Sequence, residues 1–402
     1  MSEFPSDWRV LPLGVVAEVV GGGTPSRDVP AFWGNDHQWI TPSEVVAKDG
    51  QGVERSKERI SDLGLHSSGA KLHPPGTILM TSRASIGFAA IAKEEICTNQ
   101  GFQSLRCGSE LDNWFALHQI RHRRAELYQL AAGSTFLEVS GSNVRSFPFI
   151  VPPLPEQKKI AEILSGIDST TDNLRSYLGK QEILRKSLIS ELIFINNSNL
   201  DGSCNTSKYC LGDISTRITD GTHQAVKASR QGTIPFLYVS CVKDGMIDWG
   251  KSAFISEEQY AIATQGRQPL PGDILYTAVG SYGNAAMVTT DHRFCFQRHI
   301  ALIQLDREKS VPKFIELALS SDQTKRSVDL VVAGNAQPTL TLGELRKLQI
   351  PVPTPDTQRQ ICEIISPLER KISALESKIN ALRNLKHSVS SDLLSGRKRV
   401  SI

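Results

Sequence analysis

Apolar positions along this chain fall into two registers that repeat. From residue 151 to 192 and again from 352 to 393 they recur every three and four residues, and the two stretches align without a gap at an offset of 201 residues. Gln157 falls on Gln358, Ile160 on Ile361, Ile163 on Ile364, Leu174 on Leu375 and Leu192 on Leu393. Each stretch opens on a proline cluster (Pro152, Pro153, Pro155; Pro351, Pro353, Pro355) that bars a preceding helix, then continues as helix. In the second copy Ile365, Ile372 and Ile379 form one apolar line and Leu368, Leu375, Leu382 and Val389 the other, a heptad. The first copy carries Leu164, Leu178 and Leu192 beside Ile167, Leu174 and Leu188, with Thr171 and Gln181 breaking its seam. So narrow a stripe suits one or two facing helices, and the simplest partner of each copy is the other.

The segments between the helices alternate in the manner of short strands. VAEVVGGGTPS, ending at Ser26, predicts a strand entering a flexible glycine turn, and HQWIT from His37 the next strand. PPGTILMTSRASIGFAAI from Pro74 predicts a turn, a buried strand, a polar loop around Ser82 and Arg83, and a second strand. TNQGFQSLR from Thr98 predicts a further strand, and an amphipathic helix follows Asp112 with Trp114, Leu117 and Ile120 inward. A basic cluster, Arg121 to Arg124, is a solvated face or a footprint for phosphate or acidic groups. The same order returns after a polar linker. LGDISTRITDGTH from Leu211 answers LGVVAEVVGGGTP from Leu13, LPGDILYTAVGSYG answers PPGTILMTSRASIG, and FQRHIALI from Phe296 answers NQGFQSLR. AGNAQPTLTLGELR from Ala333 answers AGSTFLEVSGSNVR from Ala132. The predicted organisation is a globular domain (1–150), a spacer helix (151–194), a linker (195–207), a second globular domain (208–350), a second spacer helix (351–395) and a basic tail (396–402). Its fold class is α/β (α+β): two repeated globular domains, each followed by a long helix, the helices forming an antiparallel coiled coil.

Composition narrows the chemistry. At 402 residues with 40% hydrophobic positions the chain can bury two cores of ordinary size, and a net charge of +3 permits nucleic-acid binding without demanding it. Seven cysteines without a CxxC indicate neither a disulfide framework nor a zinc site. With no apolar signal core and no membrane-length run, the expected location is the cytoplasm.

Catalytic readings fare poorly. GMIDWGKS, 245–252, matches the P-loop pattern, but bulky Met246, Ile247 and Trp249 crowd the loop and KSAFIS reads as a strand where a phosphate-cradling helix is needed. An amino-methyltransferase needs an amide or carboxylate ahead of a Pro-Pro-aromatic turn, and the Pro-Pro pairs here follow His73 and Val151. His223 and His299 have no partners at metal-ligand spacing. The expectation is a non-catalytic chain with no cofactor and no metal.

Two similar scaffolds with different polar loops, joined by helices of fixed length, suit the reading of two different features a set distance apart. From Gln157 to Leu192 a helix runs roughly 50 Å at 1.5 Å per residue, and DNA half-sites one turn apart lie about 34 Å centre to centre. The chain resembles, over essentially its whole length, the specificity subunits of type I restriction-modification systems. The resemblance rests on PPLPEQKKIAEIL from Pro152 and PTPDTQRQICEII from Pro353, supported by GGGTPS, TSRASIG, TNQGFQSL and PGDIL. It implies two target recognition domains for the halves of a split, asymmetric sequence in double-stranded DNA. It also implies docking of two modification subunits that bind S-adenosylmethionine and methylate adenine, and a separate restriction subunit that cleaves. The alternative is a protein-interaction scaffold without DNA specificity. Base reading needs forked donors and amides, while phosphates accept hydroxyls and cations. The loop candidates are Thr24, Ser26, Arg27, Ser82, Arg83, Ser134 and Thr135 in the first domain, and Thr222, His223, Tyr282, Asn335, Gln337 and Thr339 in the second. Arg298 is held back because its strand-like setting suggests an ion-pair role. For docking the modification subunits the candidates are Gln157, Ile160, Ile163, Gln358, Ile361 and Ile364.

Overall fold

The computed structural model describes residues 4–131, 137–195, 208–229, 231–243, 245–264, 266–333 and 338–401. The chain forms two compact units, one of Met1–Arg175 with Ser377–Ile402 and one of Ser176–Glu376. Each long helix, Leu154–Ile189 and Pro355–Leu394, contributes to both.

Within the first unit a five-stranded sheet runs in the order Ala17–Gly21, Gln103–Cys107, Ile78–Met80, Ala89–Ala92, Gly52–Val53. Beside it stands a four-stranded sheet in the order Glu58–Ile60, Trp33–Ile40, Ile96–Thr98, Leu72–His73, with Gln38 to Ile40 pairing parallel to Ile96 to Thr98. The second unit repeats this plan. Its four-stranded sheet runs Ser215–Asp220, Ile300–Leu305, Ile274–Thr277, Ala285–Met287, and its three-stranded sheet Ala253–Ile255, Ile234–Leu237, Cys295–Phe296 again contains one parallel pair. The strands Ile78–Met80 and Ile274–Thr277, apolar on both faces, are buried throughout, as strands covered on both sides must be.

The helix expected after Asp112 is broken in two, Asn113–His122 and Arg124–Gln129. Asp112 caps it by accepting from the Phe115 amide at 2.9 Å. Leu117 and Ile120 are inward as expected, but Trp114 is half-buried, and Phe115 and Ala116 fill the core in its place.

The long helices pair in opposite directions. In the first unit Ile160, Ala161 and Leu164, from the start of the first long helix, share a core with Leu393 and Leu394 from the end of the second. In the second unit Ile189 and Ile193 share one with Ile361 and Ile365. The polar breaks in the first seam are buried too, and Thr171 satisfies its hydroxyl by donating to the Ile167 carbonyl at 2.8 Å. Pro367 lies inside the second helix, which stays continuous although one backbone N–H is missing, and the adjacent Ser366 hydroxyl donates to the Cys362 carbonyl at 2.6 Å. The helices carry matched ion pairs at equivalent positions: Asp168 with Lys386 in the first unit and Glu369 with Arg185, at 2.7 Å, in the second.

The C-terminal segment is docked. Arg399 bonds the buried Glu156 carboxylate at 2.6 Å and Asp7 at 2.7 Å, and Trp8 Nε1 donates to Glu156 at 3.0 Å. No helix among the described residues is long and apolar enough to cross a membrane.

Candidate nucleic-acid interface

In the first unit four separate stretches meet along one rim. The Thr24 hydroxyl donates to the Gln100 side chain, the Ser82 amide donates to the Gly101 carbonyl at 2.8 Å, and the Val139 amide donates to the Ser82 carbonyl at 2.9 Å. Arg83 forms an isolated antiparallel bridge with Glu138, its Nε 2.9 Å from the carboxylate. The glycine turn feeding this rim is tight. A Cβ on Gly22 would lie 2.0 Å from the Asn99 carbonyl oxygen and one on Gly23 2.2 Å from the Gly69 backbone. The residues are glycine because backbones touch there, which replaces the expectation of a flexible turn.

The second unit builds the same rim from different side chains. The Thr222 amide donates to the Phe296 carbonyl at 3.0 Å, the Arg298 amide donates to the Thr222 carbonyl at 3.1 Å, and the Ala278 amide donates to the His299 carbonyl at 2.9 Å. The bridge corresponding to Arg83 with Glu138 joins Val279 to Thr339. Even the left-handed backbone repeats: Ala84 has φ of 54° and its counterpart Gly280, which adopts it without strain, has φ of 76°. Since Gly101 and His299 accept equivalent bonds, FQRHIALI corresponds to NQGFQSLR with a shift of one residue from the alignment by sequence. Arg298 therefore stands opposite Gln100.

The individual candidates divide as follows. Ser26 and Arg27 are exposed, and Thr24 is half-buried. Arg27 pairs with Glu58 at 2.5 and 2.9 Å and stacks over Trp33 at 3.7 Å, and the carboxylate raises the guanidinium's proton affinity. Arg83 lies exposed on the rim. Ser82 is a correction: it is wholly buried and its hydroxyl has no partner among the described residues, because the loop folds its side chain under the bridge. In the second unit His223 is exposed, 2.6 Å from Asp220, whereas Thr222 is buried and accepts from the Gln224 amide at 3.2 Å. The Tyr282 hydroxyl donates to Asp329 at 2.8 Å, and that bond holds its pKa above the usual phenol range. Thr339 is half-buried at its bridge. Ser134, Thr135, Asn335 and Gln337 lie outside the described residues.

The rim also holds Gln100, which the sequence did not single out, and Arg298, which was held back. Arg298 sits in an exposed turn and has no carboxylate partner among the described residues, which corrects the strand and ion-pair expectation. Its signal in the sequence was a polar turn between two apolar runs.

Four docking candidates are also corrected. Gln157 is fully buried: its Oε1 accepts from the Asp112 amide at 2.9 Å, and its Nε2 donates to the Glu110 and Pro152 carbonyls at 2.9 and 2.8 Å. Gln358 repeats the clamp, accepting from the Val311 amide at 2.7 Å and donating to Lys309 and Pro353 at 2.9 and 2.8 Å. Ile160 and Ile361 belong to the cores, so none of these four faces a partner. Ile163 is half-buried, and Ile364 is 47% exposed.

The basic cluster is largely spent inside the fold. Arg121 bridges Asp49 and Asp168, each at 3.1 Å, Arg124 bonds Asp49 at 2.7 Å, and Arg123 bonds Glu126 at 2.6 Å. The apparent P-loop is not one. Met246–Ile247 pairs with Val242–Lys243 as a hairpin, Trp249–Lys251 is a short turn, and Ala253–Ile255 is a strand, so no helix N-terminus awaits a phosphate. No group of three or more His, Cys, Asp or Glu among the described residues could hold a metal ion.

Comparison with known proteins agrees with this repeated construction. The type I restriction modification DNA specificity domain matches residues 5–183 and again 205–384. The MjaIX specificity subunit of a type I restriction enzyme from Methanocaldococcus jannaschii is 27% identical, the alignment covering 100% of this chain and 95% of that protein. The EcoR124I/EcoR124II specificity subunit from Escherichia coli is 27% identical over 45% of each. The crystal structure of a type I restriction-modification system S subunit from M. genitalium superposes with a TM-score of 0.64 at 16% identity, covering 98% of this chain and 96% of that one, and shares the fold. By its two domain matches, the chain belongs to the family of type I restriction modification DNA specificity proteins.

Proposed function

We propose that each unit reads one half of a split, asymmetric target in double-stranded DNA, and that the paired helices fix the gap and dock two modification subunits. One observation carries this reading: the same backbone rim bears Arg83 and Glu138 with Gln100 in the first unit but Val279 and Thr339 with Arg298 in the second. A scaffold held constant while its forked donors and acceptors change is what different half-sites require. Family membership supports the assignment to DNA over the scaffold alternative. The chain supplies recognition and no catalytic group; S-adenosylmethionine belongs to the modification partner, and a restriction subunit joins the same assembly. Since Gln157, Ile160, Gln358 and Ile361 are interior, the exposed large apolar side chains left for docking on the helices, among the described residues, are Ile364, Tyr177, Ile183, Leu184 and Leu385.

Glu138 engages Arg83 at Nε, which leaves the terminal guanidinium nitrogens to address a base edge. Arg83→Ala in the assembled complex is expected to weaken binding by about 1 to 3 kcal/mol and to relax preference at one base pair. Competition among duplexes varied at single positions measures both. A uniform loss on all sequences would make Arg83 a phosphate contact, and no change in affinity or preference would remove it from the interface.

A further inference from the structure

The first unit contains a cavity of about 330 Å³ where the helices Asn113–His122 and Arg124–Gln129 face the long helices. Its cationic lining is Arg121, Arg124, Arg175, Arg383 and Lys386, against the carboxylates of Asp49 and Asp168. Asp172, just outside, pairs with Arg175 at 2.9 Å. Five cations thus meet three carboxylates. Arg383 is exposed, and among the described residues its side chain donates to the Asn380 amide oxygen, at 3.4 Å, and pairs with no carboxylate.

This surplus is not demanded by the scaffold. In the helices, at the offset of 201, Arg175 corresponds to Glu376, Arg383 to Glu182, Asp168 to Glu369 and Lys386 to Arg185. Gln157 clamps Asp112 as Gln358 clamps Val311, which places Arg121 on Ser320 and Arg124 on Gln323. The second unit therefore builds the same place with one retained cation, two added glutamates and two neutral residues. There the buried Glu316 and the half-buried Glu369 are neutralised by Lys313, at 2.7 and 2.8 Å, and by Arg185.

We propose that the cavity of the first unit is a binding site for a phosphoryl anion, with the unbalanced Arg383 and the Asp172-paired Arg175 at its mouth and Arg121, Arg124 and Lys386 held behind them by Asp49 and Asp168. Guanidinium forks match phosphate oxygens in pairs, and a partly desolvated cluster with excess positive charge gains most from a multiply charged ligand. The field is visible in neighbouring groups: burial, then the charge of Arg121, holds Lys386 below its ordinary pKa, and burial, then His387, does the same to His122. His118 donates no charge, since burial followed by the nearby cations pushes its pKa down to about 3. The phosphoryl group comes either from a small phosphorylated molecule or from a DNA backbone. The second source is within reach of the proposed interface, because Arg124 donates to the Gly87 carbonyl at 3.0 Å on the loop that carries Arg83.

The test uses the full chain and two probes, inorganic pyrophosphate by calorimetry and a DNA duplex of unrelated sequence by anisotropy across a salt series. Variants are Arg383→Gln and the double Arg175→Glu, Arg383→Glu, which installs the charges of the second unit; melting without ligand checks that each folds, and the exposed Arg383→Gln serves if the double variant does not. Saturable pyrophosphate binding weakened at least tenfold by the variants is expected. If duplex affinity is unchanged, the ligand is a small phosphorylated molecule; if the duplex salt slope also falls by about one for each phosphate no longer neutralised, it is the DNA backbone. Pyrophosphate binding that is absent in the millimolar range, or that the variants leave unaltered, overturns the proposal. The pyrophosphate measurement stands whether or not the chain reads DNA.

Discussion

Gln157→Ala is expected to destabilise the first unit by about 3 kcal/mol, because it strands three backbone groups at once, one of them buried and two half-buried. Asp112 N–H, Glu110 C=O and Pro152 C=O each lose their bond to the same amide, and the methyl group that replaces it reaches none of them. The cost concentrates where the first long helix joins the helix capped by Asp112. For a unit of this size such a loss lowers the melting temperature by roughly 6 to 12 °C. Gln358→Ala should cost as much in the second unit, since its three bonds are the same. Denaturant unfolding of both variants measures the effect, and hydrogen exchange should locate each loss in its own unit. A shift within about 0.5 kcal/mol, the range of surface substitutions, would mean the clamp does not hold the helix start.

The second large effect is expected from lengthening the helix pair. Each unit grips both helices: Asp168 with Lys386 in the first, Arg185 with Glu369 in the second. A heptad added to one helix alone therefore leaves the other at its original length and strains both grips. Adding one heptad to each, after Arg175 and after Glu376, preserves both seams. Seven residues add about 10 Å at 1.5 Å per residue, or roughly three base pairs at 3.4 Å each. The assembled complex should then keep its half-site sequences and accept a gap about three base pairs longer, read by the spacing of methylated adenines on randomised-gap duplexes. Altered half-sites with an unaltered gap would mean the helices do not set the spacing.

Much of the fold was legible because the chain states it twice. An offset that aligned Gln157 with Gln358 and Leu192 with Leu393 exposed the helices, and the short apolar runs around Leu79 and Leu275 exposed the buried strands. What the sequence concealed was where polar side chains point. Gln157 finds its partners 45 and 47 residues earlier, so its polarity looked like surface when it was an internal clamp. Ser82 stood in a polar loop yet lies beneath it, and Arg121 and Arg124 look free until the fold delivers Asp49 and Asp168. Local pattern sets which segments are helix or strand, whereas a bonded partner is set by tertiary placement. The rim escaped in part for the same reason: Arg298 meets Thr222 through a backbone bond and Gln100 meets Thr24 through their side chains, each between residues 76 apart in the chain.

The most direct measurement of the central claim is selection of bound duplexes from a randomised pool by the chain assembled with its modification subunits. Two different short half-sites separated by a fixed stretch of unspecified bases are expected. Substitution on the first rim, at Arg83, should alter one half-site, and substitution on the second, at Arg298, the other. A single uninterrupted motif, or two half-sites that both change with Arg83, would contradict the assignment of one half to each unit.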